Sequence, residues 1–536
     1  MTTGEAAVET LVRNGIDTVY GLPGYHNDPF FDALYHARDK IRVVHTRHEQ
    51  AAGYMALGAA LATGKPQVYC VVPGPGFLNS SAALLTAYAM NAPVICIAGQ
   101  IAQADIDRAH GHLHEIHDQK GIAAHITKYA ARINAPYEAP IILTEAIRQA
   151  TSGRQRPVFV ECAMDMWGRK STVELQSPAG KIPSPPVDED AAERAAKILG
   201  TAKKPLIIVG GGALGASAEV LALAEALEAP VMAYRRGQGV IPGSHRLFIN
   251  MPTAHEFWKD VDVVVGIGTR LVYQHAMWGF DNELREVRID IDPEEPERFR
   301  KPAAAVIADA KEGTAAVLRH LPKAPRARRD AEIAAHKATV AKTLDKLEPQ
   351  LTWARAIQAA MPADALYVDE VTQVGFANRL VYPVEKPLTF FSPGYQDNLG
   401  WGPGTALGVK CARPDRPVLA IAGDGGFLYQ VGDLATAVLH NIAVVFVVFD
   451  NAAYGNVRIL QENNFGGRLI ACDLKSPDFV KLAESFGVAA FRAETPDELR
   501  TAIPRAFALN KPVLIHVPCG PMPSIWNMIL LPKVRG

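Results

Sequence analysis

Short runs of β-branched and other apolar residues alternate with alanine-rich stretches along the whole chain. The clearest runs are QVYCVV (67–72), APVICIAG (92–99), PLIIVGGG (205–212), DVVVGIG (262–268), PVLAIAG (417–423) and AVVFVVF (443–449). Continuous rather than alternating hydrophobicity suits parallel strands covered on both faces. Strands alternating with helical stretches predict α/β units and doubly wound parallel sheets. Two segments break the pattern. SPAGKIPSPPVDED (177–190) and LPKAPRARRDAEIAAHK (321–337) are rich in proline, small residues and charge, and read as linkers. The basic group Arg326, Arg328 and Arg329 is read as a solvated linker face rather than an anion site. Three domains follow, at 1–176, 190–322 and 338–536, in line with a length of 536 residues and typical domain sizes.

An internal repeat sharpens this division. Residues 70–95 (CVVPGPGFLNSSAALLTAYAMNAPVI) align without a gap on 420–445 (AIAGDGGFLYQVGDLATAVLHNIAVV), at a constant offset of 350. Gly76, Phe77, Leu78, Leu84, Thr86, Ala87, Asn91 and Val94 recur as Gly426, Phe427, Leu428, Leu434, Thr436, Ala437, Asn441 and Val444. Both copies read strand, glycine turn, helix, strand, so the first and third domains are expected to share a fold. Gly74 of the first copy becomes Asp424 in the third.

Composition narrows the partners. Apolar residues are 49% and charged residues 21%, and 55 Lys plus Arg nearly balance 56 Asp plus Glu. No nucleic-acid surface or membrane partner is expected from such a balance. No apolar run approaches the roughly 18 residues of a membrane span, and the amino terminus MTTGEAAVETLVRNGID lacks a basic-then-apolar leader. The six cysteines have no CxxC spacing and mostly fall in apolar runs. Reduced thiols in the cytoplasm are expected.

The chemistry starts at GDGGF (423–427), a glycine turn between a strand and a helix. Such turns let backbone N–H groups approach phosphate oxygens. Asp424 would repel a bare phosphate, so a bridging Mg²⁺ or Ca²⁺ is expected, held by carboxylate, amide and carbonyl oxygens together. A second donor, Asn451, stands 27 residues later at the carboxyl end of the 443–449 strand, where parallel sheets bind ligands.

This spacing resembles the diphosphate–metal motif of the thiamine diphosphate (ThDP) enzymes. The likeness covers nearly the whole chain and is to the acetolactate synthase-like group, which includes pyruvate oxidases, benzaldehyde lyase and oxalyl-CoA decarboxylase. YGLPG (20–24), HEQAAG (48–53), PGPG (73–76), LGWGPG (399–404), GDGGF and DN (450–451) stand where that family has counterparts. The resemblance implies pyrimidine-binding, central Rossmann-like and diphosphate-binding domains, in this order. It implies that Asp424 and Asn451 bind the metal by side chain and Ala453 by its carbonyl. Gly423, Gly425 and Gly426, with Tyr454 and Gly455, would surround the diphosphate, and Thr372 and Gln373 would cover it. Leu399 would prop the cofactor in its bent form. Asp397 stands where relatives often have a glycine whose carbonyl meets the aminopyrimidine. Glu49 falls on the family's catalytic glutamate, which hydrogen-bonds N1′ of the aminopyrimidine. The imino tautomer so favoured deprotonates the thiazolium, which then serves as an electron sink. The apolar helix behind Glu49 would keep its carboxyl in low dielectric. In the family this glutamate serves a cofactor held by another subunit, implying a homodimer at least; tetramers are common there.

Other positions bear on the substrate. His26, in GLPGYHND, matches a benzaldehyde lyase histidine that handles substrate protons. The loop HGHLHEIHDQKGIAAH (110–125) overhangs the family's active site and makes His114 and Glu115 candidates; its five histidines show no clean pairing for zinc. Leu460 replaces the tryptophan typical of acetolactate synthases. In the central domain Gly210, Gly212 and Gly215 form GxGxxG, but the next strand ends in Arg235 and Arg236, not in the acid that holds a ribose. NAD is therefore not expected. An empty central domain is preferred, with FAD or an ADP moiety as the alternative that these arginines and Arg270 keep open. The expected activity is C–C bond cleavage or formation beside a carbonyl, on 2-ketoacids or acyloins. The alternatives are a 2-oxoacid or acyl-CoA decarboxylase, an FAD-dependent pyruvate oxidase and a catalytically silent ThDP-fold protein.

Overall fold

The structure, a computed structural model, describes residues 1–536. Three six-stranded sheets form, and every strand pair in them is parallel. The first holds β1 (Thr18–Gly21), β2 (Arg42–His45), β3 (Gln67–Val71), β4 (Val94–Gln100), β5 (Tyr129–Ile133) and β6 (Val158–Ala163), in the order β2-β1-β3-β4-β6-β5. The third holds β13 (Leu366–Val368), β14 (Phe390–Phe391), β15 (Val418–Gly423), β16 (Val444–Asp450), β17 (Ala489–Arg492) and β18 (Val513–Pro518), in the order β14-β13-β15-β16-β18-β17. Strand for strand the two orders are the same, as the repeat predicts. The central sheet holds β7 (Pro205–Val209), β8 (Val231–Ala233), β9 (Phe248–Ile249), β10 (Val263–Ile267), β11 (Arg285–Asp290) and β12 (Ala304–Ile307). Its order, β9-β8-β7-β10-β11-β12, is the Rossmann order, with the direction of winding reversing between β7 and β10.

The predicted strands match β3, β4, β7, β10, β15 and β16 to within two or three residues. The second linker differs. Only its first part is irregular, and a helix runs over Asp330–Leu344. Ile333, Val340 and Leu344 of that helix lie in the central domain's core. The boundary at 338 therefore cuts a helix that belongs with the central domain. A thin stripe of three apolar side chains among charges hid it.

The first and third domains share one continuous core. At its middle the helix Glu49–Thr63 crosses the helix Trp401–Ala412. A Cβ on Gly58 would lie 2.1 Å from the carbonyl oxygen of Thr405, and one on Gly408 would lie 1.9 Å from that of Met55. Only glycine lets the two backbones touch in this way. The offset of 350 holds here too: Ala56-Leu57-Gly58 recurs as Ala406-Leu407-Gly408. The repeat therefore extends over this helix, and it places Leu399 at the position equivalent to Glu49.

Candidate active site

β15 and β16 are neighbours, and their carboxyl ends open into a cleft of about 160 Å³. Thr372, Gln373, Leu399, Gly423, Asp424, Gly425, Gly426, Asn451, Ala453, Tyr454 and Gly455 all line it. Asp424 opens a short helical turn, Asp424–Leu428, whose first N–H groups have no partner within the turn. Its side chain is 2% exposed and no cation pairs with it. A Cβ on Gly425 would lie 2.6 Å from the Tyr454 ring, and one on Gly455 would lie 2.7 Å from Nδ2 of Asn451. The glycines thus let Tyr454 and Asn451 close on the turn. Residues 452–454 pair with 472–474: Tyr454 N–H donates to Cys472 at 2.7 Å and Leu474 N–H to Ala452 at 2.8 Å. The carbonyl of Ala453 between them accepts no hydrogen bond.

A second carboxylate faces the first. Ser476 Oγ bridges Asp450 at 2.7 Å and Asp424 at 3.1 Å. Burial, and then the nearby Asp450 carboxylate, push Asp424 up to about 6. Burial also raises Asp450, but hydrogen bonds from His516, Ser476 and the Ala452 N–H outweigh it and leave that acid lowered. Two carboxylates, an amide and an orphaned carbonyl form the oxygen-rich set that a hard divalent cation takes. Asp450, Ser476 and His516 escaped sequence reading. Asp450 adjoins Asn451, but nothing in the sequence marks Ser476 or His516.

The rest of the cleft is braced from behind. Thr372 caps the helix Gln373–Val381, its Oγ1 accepting from Gly375 N–H at 2.8 Å. Gln373 Nε2 reaches across to Asn456 Oδ1 at 2.7 Å. Glu370 lies fully buried behind the turn, and its carboxyl accepts the N–H of Gly400. A Cβ on Gly426 would come within 3.0 Å of this carboxyl. Burial pushes Glu370 up to about 8, so it is protonated at neutral pH. The sequence showed only two successive acids after a strand.

Asp397 does not itself line the cleft, and its carboxylate turns to Arg235 and Arg379.

No first-domain residue lines the cleft. Glu49 begins its helix just after the N-cap His48 and accepts from Asn79 Nδ2 at 3.1 Å. Residues Ala51–Ala62 behind it are all buried, yet Glu49 itself is half-buried. The low-dielectric setting expected for it is thus not complete within one chain.

His26 is 2% exposed and its ring stacks on His114, with centroids 5.1 Å apart. Nε2 of His26 meets the carbonyl of Leu113 at 3.0 Å, which makes Nε2 the donor and Nδ1 the free base. That Nδ1, like Nδ1 of His114, is buried without a partner. Burial, then the neighbouring His114, holds His26 below its ordinary value, so it is neutral at pH 7. Glu115 turns back on its own loop and accepts the N–H groups of His110, Gly111 and His112. Those bonds, led by His112, hold it below the usual carboxylate range. Asp105, outside the histidine-rich stretch, supplies the acid that pairs with His110 at 3.2 Å and His112 at 3.5 Å.

The reversal between β7 and β10 opens into a cavity of about 750 Å³ that the first domain, through Asn91 and Arg154, and the third, through Tyr395, also line. Gly210 and Gly212 are needed there for packing: a Cβ on either would strike Gly268 at 2.3 or 2.8 Å. Gly215 has nothing within 4 Å, so the third glycine of the fingerprint does no packing. Arg236 lines this cavity without a carboxylate partner, and burial lowers it to about 10.

No helix is long and apolar enough to cross a membrane, and all six cysteines are free thiols.

Three family descriptions match this chain in order. They are the thiamine pyrophosphate enzyme N-terminal TPP-binding domain (residues 1–122), central domain (192–321) and C-terminal TPP-binding domain (370–517). A probable 2-ketoarginine decarboxylase of Pseudomonas aeruginosa is 31% identical, over 96% of this chain and 94% of its own. A probable acetolactate synthase large subunit of Methanocaldococcus jannaschii is 32% identical, over 98% and 93%. The acetolactate synthase large subunit of Corynebacterium glutamicum is 30% identical, over 99% and 88%. With its paired six-stranded sheets, its aspartate-bearing glycine turn and these matches along its length, the chain belongs to the thiamine pyrophosphate enzymes, in their acetolactate synthase-like group.

Proposed function

We propose that this protein makes or breaks a C–C bond beside the carbonyl of a 2-ketoacid or acyloin, using thiamine diphosphate and Mg²⁺. The observation that carries this reading is the buried Asp424 carboxylate, which no cation neutralises, with the Asn451 amide and the orphaned Ala453 carbonyl at the ends of β15 and β16. Asp424, Asn451 and Ala453 would hold the metal, and the Gly425 and Gly426 N–H groups the diphosphate. Bound thiamine diphosphate supplies an electron sink for the carbon that loses or gains its neighbour. The chain's own residues do the rest. Glu49 holds a proton at the aminopyrimidine, Leu399 props the cofactor, and Nδ1 of His26 takes or returns the proton of a substrate hydroxyl.

A second copy would bring its Glu49 to the cleft. Val457, Leu460, Phe465 and Ile470, on the segment beside the cleft, are exposed and fit such a cover, so a homodimer is the minimum unit proposed. Six free thiols agree with a cytoplasmic setting.

Decarboxylation without coupling is the second reading, favoured by the relative named for 2-ketoarginine. A third concerns the central cavity, where Arg236 without a counter-ion favours an anionic nucleotide such as ADP or FAD. An absorbance scan and chromatography of the denatured protein check that point.

The test is a screen of pyruvate, 2-ketoarginine, benzoylformate and acyloins with thiamine diphosphate and Mg²⁺, following CO₂ and product masses. Coupled or cleaved carbon skeletons establish the carboligase or lyase, and CO₂ with an aldehyde alone establishes the decarboxylase. Turnover of Glu49→Gln at the wild-type rate would sink the role given to Glu49. A His26→Ala variant indistinguishable from wild type on every substrate would remove His26 from the reaction.

A further inference from the structure

The stretch from Ser392 to Gly400 has neither strand nor helix. Its place therefore rests on individual contacts. From the central domain, Arg235 at the end of β8 donates to the carbonyls of Pro393 at 3.1 Å and Gly394 at 2.5 Å, and to Asp397 Oδ2 at 2.9 Å. From the third domain, the fully buried Arg379 holds the same carboxylate at 3.2 Å and ties it to Asp369. Arg270 lies over the Tyr395 ring, 4.4 Å from its centroid. Asp397 has φ +46° and Arg235 has φ +50°. Non-glycine residues adopt this left-handed backbone infrequently, aspartate more readily than arginine. Two such residues meet across the domain boundary, joined through their side chains.

Two positions after Asp397 comes Leu399 in the cofactor cleft, and then Gly400, whose N–H is held by Glu370. Leu399 is thus fixed between one anchor in its own domain and one in the central domain. We propose that Arg235 is a positioning residue for the cofactor cleft: acting through Asp397 across the domain boundary, it sets where Leu399 stands. This rests on the reading of Leu399 as the cofactor's prop. It also accounts for an aspartate at a place where relatives often have glycine, since the carboxylate serves Arg235 and Arg379. Arg235 divides these bonds between the two ends of its planar fork, Nη1 to the carbonyls and Nη2 to the carboxylate, and the single nitrogen of an ammonium does not reproduce that spread.

The test measures binding of thiamine diphosphate with Mg²⁺ by calorimetry, together with kcat, KM for the cofactor, and melting temperature. The full-length variants are Arg235→Met, Arg235→Lys, Asp397→Asn and the double variant Arg235→Met/Asp397→Asn. Arg246→Met is the control, because it breaks a central-domain ion pair with Glu228 away from this segment. Arg235→Met and Arg235→Lys are expected to weaken cofactor binding about tenfold or more. The double variant should lose less than the sum of the two single losses, since both substitutions break the Arg235–Asp397 contact. Arg246→Met should lose thermal stability and keep its cofactor affinity. Should Arg235→Met fail to fold, Arg235→Lys decides. Wild-type affinity in the Arg235 variants, with only a lower melting temperature, would reduce Arg235 to domain packing and overturn the proposal. A wild-type protein that binds no thiamine diphosphate would instead overturn the functional reading beneath it.

Discussion

Glu370→Gln offers a direct test of how the wall behind the cofactor cleft is built. Glu370 is fully buried, and burial raises it from 4.5 to about 8. In the unfolded chain the same group ionises near 4.5. Between these values the unfolded state gives up a proton that the folded state keeps, so folding loses about 1.4 kcal/mol per pH unit. The contribution of Glu370 is therefore fully present below pH 4.5 and declines as pH rises toward 8. Over the whole interval the loss comes to about 3–5 kcal/mol. Glutamine resembles the protonated acid and keeps an oxygen for the Gly400 N–H, but it cannot ionise. The variant should therefore match the wild type near pH 5 and exceed it by about 3 kcal/mol or more near pH 8. Urea unfolding of both proteins at pH 5, 6, 7 and 8 measures the difference, in which all other titrating groups cancel. Parallel curves for the two proteins across that range would show that Glu370 ionises normally and that the wall is wet.

Three further outcomes are expected. Asp424→Asn should raise the Mg²⁺ needed for half-maximal activity about tenfold or more, read by metal titration at saturating thiamine diphosphate. Gly455→Ala places a methyl 2.7 Å from the Asn451 amide, so it should raise the same Mg²⁺ requirement severalfold while the melting temperature holds. Gly58→Ala, which in a free helix would stabilise by about 1 kcal/mol, should instead destabilise by about 1–3 kcal/mol in denaturant titrations, because the added carbon meets the Thr405 carbonyl at 2.1 Å.

Much of the fold was legible because its strands are buried on both faces and so read as unbroken apolar runs, and because the duplication left identities at a fixed spacing. The diphosphate and metal side of the site was legible for a related reason. Asp424 and Asn451 sit at the ends of adjacent strands, so their spacing in sequence reflects their spacing in the sheet. What stayed hidden depends on long-range contacts. Ser476 bridges the two aspartates from a loop with no pattern of its own, and Arg235 reaches Asp397 from 162 residues away. Residues 330–337 of the helix Asp330–Leu344 read as linker because charge surrounds its few apolar positions. The resemblance makes Glu115 a candidate near the cofactor, and the N–H groups of its own loop, which occupy its carboxylate, are not legible in the sequence.

The crossing at Gly58 and Gly408 bears on how this protein is taken apart or recombined. A piece ending near residue 176 would uncover the face of Glu49–Thr63 that meets Trp401–Ala412, in a helix buried continuously from Ala51 to Ala62. The piece starting near 338 would uncover the matching face. Neither cofactor fold is thus a separable module, although the two lie at opposite ends of the chain. A chimaera between two such enzymes would need glycine on both helices, because a methyl group on either side of that contact closes the space the other side needs.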